Sequence, residues 1–230
     1  MTDHSLFRTG AALLLAVCLC RLYPFVRSET KRIRIKETLH HLQDQEVLYS
    51  TPEPAGCKTL AGILVSESLP MREEIVQGED DQYYLSHLCD GSESENGTLF
   101  LSCHSDWQDM NRVIYGHHVF YENIRMTPFF QLLDPNVSEE ARRFELSTEN
   151  GVEPYRMIAV LEVDYGQPDV FDYLADHYAG NGLAEYNRHL KEDLISCFFE
   201  DVQETDRLLT FLTCRDEDSP VRILFIAKAE

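Results

Sequence analysis

The C-terminal stretch decides the fold of this chain: residues 208–228 read LLTFLTCRDEDSPVRILFIAK. Two apolar runs, rich in β-branched and aromatic residues, flank a polar connection that contains a proline. This pattern predicts a strand, a loop and a second strand. Cys214 ends the first predicted strand, and Arg222 stands near the start of the second. The pair is either a buried strand cysteine with a solvent-facing arginine or an exposed thiol beside a guanidinium.

An earlier stretch adds a histidine to this pair. Residues 111–118 read NRVIYGHH, which predicts a short apolar strand that runs into a glycine and two histidines. Cysteine, histidine and arginine on separate strands can form a nucleophilic site, because histidine acts as acid or base and arginine stabilises an oxyanion. Neighbouring strand residues face opposite ways, so only one of His117 and His118 can face Cys214.

The order and spacing of these motifs resemble the class B sortases, the cell-surface cysteine transpeptidases of Gram-positive bacteria. The family places its cysteine in a Thr-Leu-x-Thr-Cys strand, and this chain has TFLTC at 210–214. Further phrases that carry the resemblance are IVQGEDDQYYL at 75–85, GTLFL at 97–101 and IYGH at 114–117. The resemblance runs from residue 60 to the C-terminus.

The resemblance implies a mainly β fold with helices: a sortase-like closed β-barrel of about eight strands. N-terminal helices would pack on the barrel, and a helical insert would precede the last two strands. The implied activity is cleavage of a C-terminal sorting-signal peptide through a thioacyl-enzyme intermediate. The acyl group is then transferred to an amine of a cell-wall peptide or pilin.

Site residues also follow from the resemblance. It implies a catalytic set of His117, Cys214 and Arg222. Leu212 and Thr213 precede the cysteine and are predicted to line the substrate groove, while Tyr115 either lines the groove as well or packs in the core. The resemblance calls for no cofactor and no metal. Two alternatives stay open: a cysteine endopeptidase that hydrolyses without transfer, and a non-catalytic extracellular assembly module.

The remaining segments have patterns that fit such a barrel. Strands are predicted at 60–66, 73–77, 98–103, 111–117, 144–148 and 155–164, with a short helix at 126–133. Helical spacing of apolar residues returns between 169 and 193 and is broken by Asn181-Gly182. This last segment stands where the resemblance implies the helical insert.

The chain carries 20 basic and 40 acidic residues, a net charge of −20. Such a balance argues against nucleic acid as a partner, because phosphate binding needs clustered lysine and arginine. The acidic residues are scattered along the chain, which indicates a solvated surface. A calcium site or attraction of a cationic amine substrate are the alternatives.

Four of the seven cysteines have several interpretations. Cys18 and Cys20 lie in the apolar N-terminal run, and Cys214 is the candidate nucleophile. Cys89 and Cys103 flank a turn-rich segment and could form a disulfide in an extracellular protein. Alternatively, the zinc ligands could be His87, Cys89, Cys103 and His104. The third possibility is that these two cysteines, with Cys57 and Cys197, are unlinked.

The N-terminal region is predicted to precede the catalytic domain in two parts. Residues 1–28 form a membrane anchor or signal segment, residues 29–56 an amphipathic helix and linker, and residues 57–230 the catalytic domain. Basic residues follow the apolar segment, and the positive-inside rule alone would place the downstream side in the cytoplasm. The resemblance implies the reverse: a single-pass protein of the cell membrane with an extracellular catalytic domain. Its partners would be surface proteins with a sorting signal and a peptidoglycan precursor or pilin amine.

Overall fold

The computed structural model describes residues 57, 59–166, 173–174, 182–216 and 220–230. The predicted membrane segment (1–28) and the predicted helix and linker (29–56) lie outside the described residues. Most of the first half of the predicted helical insert also lies outside them. Within the described part of the chain, no helix has the length and apolar character needed to cross a membrane.

The described residues form eight strands and an α-helix. The strands are β1 (Leu60–Ser66), β2 (Met71–Gln77), β3 (Leu99–Leu101), β4 (Asn111–Tyr115), β5 (Arg143–Thr148), β6 (Gly151–Asp164), β7 (Leu208–Cys214) and β8 (Val221–Ala229). The helix is α1 (Leu183–Glu192), and short 3-10 helices cover Tyr83–Leu85, Thr127–Leu133 and Glu140–Arg142. The segment predicted as a short helix at 126–133 is thus a 3-10 helix, with a proline in its first turn.

These strands close into a barrel in the order β1-β2-β3-β4-β7-β8-β6-β5. The β2–β3 and β4–β7 pairs are parallel, and the other pairs are antiparallel. Closure leaves the sheet without an exposed edge, so the backbone of each strand pairs on both sides. The expectation of a closed, mainly β barrel is confirmed, with a helix between β6 and the last two strands.

Both faces of β7 and β8 are buried, which explains why these strands read as continuous apolar runs. Phe211 and Phe225 point into the barrel, where each packs against Phe129. Leu212 and Leu224 point outwards into a second cluster that α1 covers. Because side chains alternate along a strand, Cys214 and Arg222 belong to the outer face with Leu212 and Leu224.

A disulfide joins Cys57 to Cys89, whose Cα atoms are 5.2 Å apart. The segment before β1 and the segment after β2 are already held together, because the Thr59 hydroxyl lies 2.6 Å from the Tyr84 hydroxyl. Two of the alternatives drawn from the sequence are therefore wrong: Cys89 does not pair with Cys103, and Cys57 and Cys89 are not unlinked. The thiols of Cys103, Cys197 and Cys214 are free.

Loss of this disulfide should destabilise the protein. Its cysteines are 32 residues apart in sequence, and a closed loop of this length corresponds to about 3 to 4 kcal/mol of unfolding free energy. We expect the unfolding free energy of Cys57→Ser/Cys89→Ser, measured with urea, to be lower than that of the wild type by about this amount. A thiol reductant should lower the unfolding free energy of the wild type by a similar amount. Cys197→Ser is the matched control, since it leaves the disulfide intact. Alkylation of Cys57 and Cys89 in the untreated protein would contradict this assignment.

Candidate functional site

Three adjacent strands bring the candidate catalytic residues to one end of the barrel. Cys214 on β7 is the Cα partner of Arg222 on β8. On the other side of β7, Tyr115 at the end of β4 is the Cα partner of Leu212. The Gly116 N–H then donates to the Leu212 carbonyl over 3.4 Å. His117 follows the last paired residue of β4 by two positions, as Cys214 follows Leu212 on β7, so a continued parallel register would bring the two residues to the same level.

His117 and His118 take up different environments. The Nε2 atom of His117 lies 2.8 Å from the Leu85 carbonyl oxygen. Since a carbonyl can only accept, Nε2 carries the hydrogen and Nδ1 is left for proton transfer. Within the described residues, no hydrogen bond joins the Cys214 thiol to this ring.

His118 lies on the inner side of the sheet. Its ring stacks on Phe130 with a centroid separation of 3.7 Å, and Phe130 in turn contacts the core residue Phe225. The His118 Nδ1–H donates to the Arg215 carbonyl over 3.2 Å. His118 thus packs on the face opposite the Cys214 side chain, and alternation leaves His117 as the histidine on the outer face.

Position 116 requires glycine. A Cβ atom there would lie 3.3 Å from the Met126 Cε atom and would overlap with the Leu99 side chain. This close packing fixes the backbone one residue before His117. The glycine in the Tyr-Gly-His sequence is therefore explained by packing against the barrel interior.

Arg222 lies over an aromatic ring. Its guanidinium carbon is 5.3 Å from the centroid of the Tyr165 ring, a distance at which a cation is attracted to the π face. An Arg222 N–H also donates to the Val221 carbonyl over 3.2 Å. These contacts orient the guanidinium on the outer face, next to Cys214 on the paired strand.

The candidate substrate residues differ in accessibility. Tyr115 is half-buried on the outer face, and burial followed by the Asp81 carboxylate raises the pKa of its hydroxyl, which therefore stays protonated. Leu212 is 7% exposed and shares that face. Thr213 is only 2% exposed. Its side chain faces the barrel interior, where Oγ1 has no hydrogen-bond partner among the described residues. We therefore correct the prediction for Thr213: its hydroxyl does not line the face that carries Cys214.

The four-ligand zinc set proposed from the sequence is also wrong. Cys89 forms a disulfide with Cys57, so its sulfur is not available as a metal ligand. The His87 ring is hydrogen-bonded to the Tyr83 carbonyl oxygen over 2.8 Å. Cys103 and His104 do lie near each other, together with Asp81, with candidate ligand atoms within 4.8 Å. Both Asp81 oxygens already accept hydrogen bonds, from the Ser102 hydroxyl and the Cys103 amide.

The environment of His118 predicts a pH dependence of stability. Burial between aromatic rings lowers the pKa of His118 from its ordinary value of 6.5, although the Arg215 carbonyl and Asp216 oppose the shift. Because the pKa of this histidine is lower in the folded state than in the unfolded state, its contribution to stability is fully present at pH values above the unfolded-state pKa. This contribution is lost as the pH falls through the folded-state pKa. We expect NMR titration to place His118 below 6.5.

The matched variant for this prediction is His118→Gln. Its unfolding free energy should fall less than that of the wild type between about pH 7 and about pH 5, because no buried imidazole has to be protonated. A His118 resonance that titrates at or above the ordinary histidine value would contradict the prediction.

Comparison with solved structures shows which fold this barrel has. Sortase B of Clostridium perfringens superposes with a TM-score of 0.62 at 22% identity, covering 75% of this chain and 94% of that chain. A class B sortase of Streptococcus pyogenes involved in pilus biogenesis gives a TM-score of 0.64 at 19% identity, covering 76% and 94%. The substrate complex of Staphylococcus aureus sortase B gives 0.63 at 18% identity, covering 88% and 94%.

No protein-family model matches the chain, and no curated protein matches it by sequence. The similarity is therefore structural, with sequence identities of 17–22% to the class B sortases compared. The resemblance inferred from the sequence motifs is confirmed at the level of the fold. This chain has the fold of the class B sortases.

Proposed function

We propose that the protein is a class B sortase-like cysteine transpeptidase with Cys214, His117 and Arg222 as its catalytic residues. The observation that carries the proposal is the pairing of Cys214 with Arg222, on the strand next to β4, which ends two residues before His117. Side-chain alternation supports an outer-face position for all three at one end of the barrel. A thiol, an imidazole and a guanidinium placed together are the groups that acyl transfer through a thioester needs.

The chemistry follows from the properties of these groups. A free thiol is mostly protonated at neutral pH, so attack requires the fraction of molecules with a thiolate beside an imidazolium. The Cys214 sulfur attacks the scissile carbonyl carbon, and Arg222 donates hydrogen bonds to the oxyanion of the tetrahedral intermediate. His117 gives its proton to the leaving amine as the peptide C–N bond breaks. The Cys214 thioester remains.

Transfer repeats these steps in reverse order. The amine of the acceptor gives a proton to His117 and attacks the thioester carbon, while Arg222 again stabilises the oxyanion. The C–S bond breaks, the new amide leaves, and the thiolate is regenerated beside imidazolium. If water takes the place of the amine, the same site becomes a hydrolase, which is the endopeptidase alternative.

Tyr115 and Leu212 complete the proposed substrate groove. Both share the outer face with Cys214, and the protonated Tyr115 hydroxyl can donate a hydrogen bond to a peptide carbonyl. Thr213 is left out, because its side chain is buried on the other face.

We propose surface proteins with a C-terminal sorting signal as substrates, and a peptidoglycan precursor or pilin amine as the acceptor. Two of the solved neighbours support this choice by analogy: one was solved as a substrate complex, and the other takes part in pilus biogenesis. In the same proposal, the N-terminal segment anchors the protein in the cell membrane, and the barrel lies on the extracellular side. The Cys57–Cys89 disulfide supports an oxidising compartment for the barrel.

Single substitutions in the full chain test the catalytic assignment. Incubated with a panel of sorting-signal peptides, the wild type should show a thioacyl adduct on Cys214 by mass spectrometry, and Cys214→Ala should show none. We expect His117→Gln and Arg222→Lys to slow adduct formation by about a hundredfold or more, through loss of the proton donor and of the bidentate oxyanion contact.

Each variant has a matched control elsewhere in the chain. Cys197→Ser removes an exposed cysteine, His118→Gln the neighbouring histidine, and Arg215→Lys an arginine of the adjoining connection. All three controls should keep most of the activity. Unchanged adduct formation in His117→Gln together with its loss in His118→Gln would refute the assignment of the histidine.

A triglycine acceptor separates the remaining alternatives. A transpeptidase should yield the peptide joined to triglycine, whereas an endopeptidase yields the same hydrolysed product with or without the acceptor. If every peptide of the panel leaves Cys214 unmodified, the non-catalytic assembly module becomes the better description.

A further inference from the structure

A second candidate site lies at the opposite end of the barrel from Cys214. The starts of β4 and β7 and the hairpin between β5 and β6 surround a cavity of about 360 Å³ there. Its walls include Trp107, Leu146, Thr148 and Glu153, with Arg112 and Arg207 as the two cationic groups. We call this cavity the Arg112 pocket.

Arg112 is a buried cation with an unpartnered nitrogen. The side chain is 1% exposed, and its Nε–H donates to the Leu208 carbonyl over 3.1 Å. One terminal nitrogen lies 3.5 Å from a Glu153 oxygen. The other, NH2, has no hydrogen-bond partner among the described residues. A buried charged donor without a partner is costly, so a ligand that accepts from this nitrogen would remove an existing penalty.

The charges around the Arg112 pocket favour a monoanion. Glu153 is shared, because it lies near Arg112 and also 3.4 Å from Arg207. The Tyr155 hydroxyl donates to the same Glu153 carboxylate. Two guanidinium groups against one carboxylate leave one positive charge, in a chain whose net charge is −20. A single carboxylate neutralises that excess, whereas a dianion would leave a net negative charge beside Glu153.

The walls of the Arg112 pocket indicate what the carboxylate should be attached to. Trp107 is partly buried, and its indole N–H is already engaged with the Ala61 carbonyl over 3.2 Å. The exposed part of the Trp107 ring is therefore available mainly for apolar contact, and Leu146 is a core residue, 1% exposed, at the cavity wall. A ligand with a carboxylate at one end and an apolar body at the other matches both parts.

We propose that the Arg112 pocket binds the carboxylate of a small organic monoanion, of the kind that an N-acylated amino acid or a free peptide C-terminus presents. The carboxylate accepts from the unpartnered nitrogen of Arg112 and is attracted by Arg207. The apolar side chain packs on Trp107. This site is independent of the proposed transpeptidase chemistry and involves neither Cys214 nor His117.

The sequence provides its own probe for this site, because Trp107 is the chain's single tryptophan. N-acetylleucine, added to the full chain in detergent, should change the tryptophan emission in a saturable way. N-acetylleucinamide has the same shape without the charge, and it should bind at least about tenfold more weakly. Inorganic phosphate tests the preference for a monoanion, and a short peptide ending in leucine tests whether a longer ligand enters.

Variants locate the binding. Arg112→Gln and Arg207→Gln should each weaken N-acetylleucine binding by about tenfold or more. Arg143→Gln should not, because this exposed arginine pairs with Glu230 outside the pocket. Cys214→Ala should bind as tightly as the wild type. Circular dichroism checks that each variant folds. If Arg112→Gln does not fold, the proposal is decided by the comparison of N-acetylleucine with N-acetylleucinamide and by the binding of N-acetylleucine to Arg207→Gln.

Any one of four results would overturn the proposal. The first is that the wild type shows no saturable change with N-acetylleucine. The second is that the amide binds as tightly as the carboxylate. The third is that folded Arg207→Gln binds as tightly as the wild type. The fourth is that Cys214→Ala abolishes the signal.

Discussion

The parallel pairing of β4 with β7 is the contact on which the proposed site depends. It joins two segments that are far apart in sequence, and it continues into the Gly116 N–H bond to Leu212. The antiparallel hairpin of β7 and β8 supplies the Cys214–Arg222 pair by local connection alone. Only the parallel pair delivers the histidine, so a shift of its register would separate the acid–base group from the thiol.

Alternation of side chains then sorts functional residues from structural ones. Even-numbered positions of β7 and β8 face outwards, which puts Cys214 and Arg222 on the outer face while Thr213 and Ile223 point inwards. The same alternation on the neighbouring strand assigns His117 to the outer face, and His118 stacks on Phe130 inside. A single period of two residues thus explains both the proposed triad and the roles of its neighbours.

The arginine side chains at the two ends of the barrel lie in different environments. Arg222 is partly exposed over the Tyr165 ring, on the outer face that carries Cys214. Arg112 is enclosed, shares Glu153 with Arg207, and keeps one nitrogen without a partner among the described residues. A low dielectric strengthens the pull of such a buried charge on an anion, and it also raises the cost of leaving the charge unpaired. In the two proposals, the Arg222 end would hold a transient oxyanion and the Arg112 end a permanent carboxylate.

The amino-acid sequence by itself determined the strand pattern, the order of the motifs and the identity of the candidate catalytic residues. Those features are local or depend on periodicity, as with the apolar runs around Cys214 and Arg222. Only the tertiary structure decided that Cys89 pairs with Cys57 and that Thr213 is buried. It also decided that Arg112 lines a cavity. Disulfide pairing, the facing of a strand and the burial of a charge depend on which distant segments become neighbours, and spacing along a single chain does not contain that information.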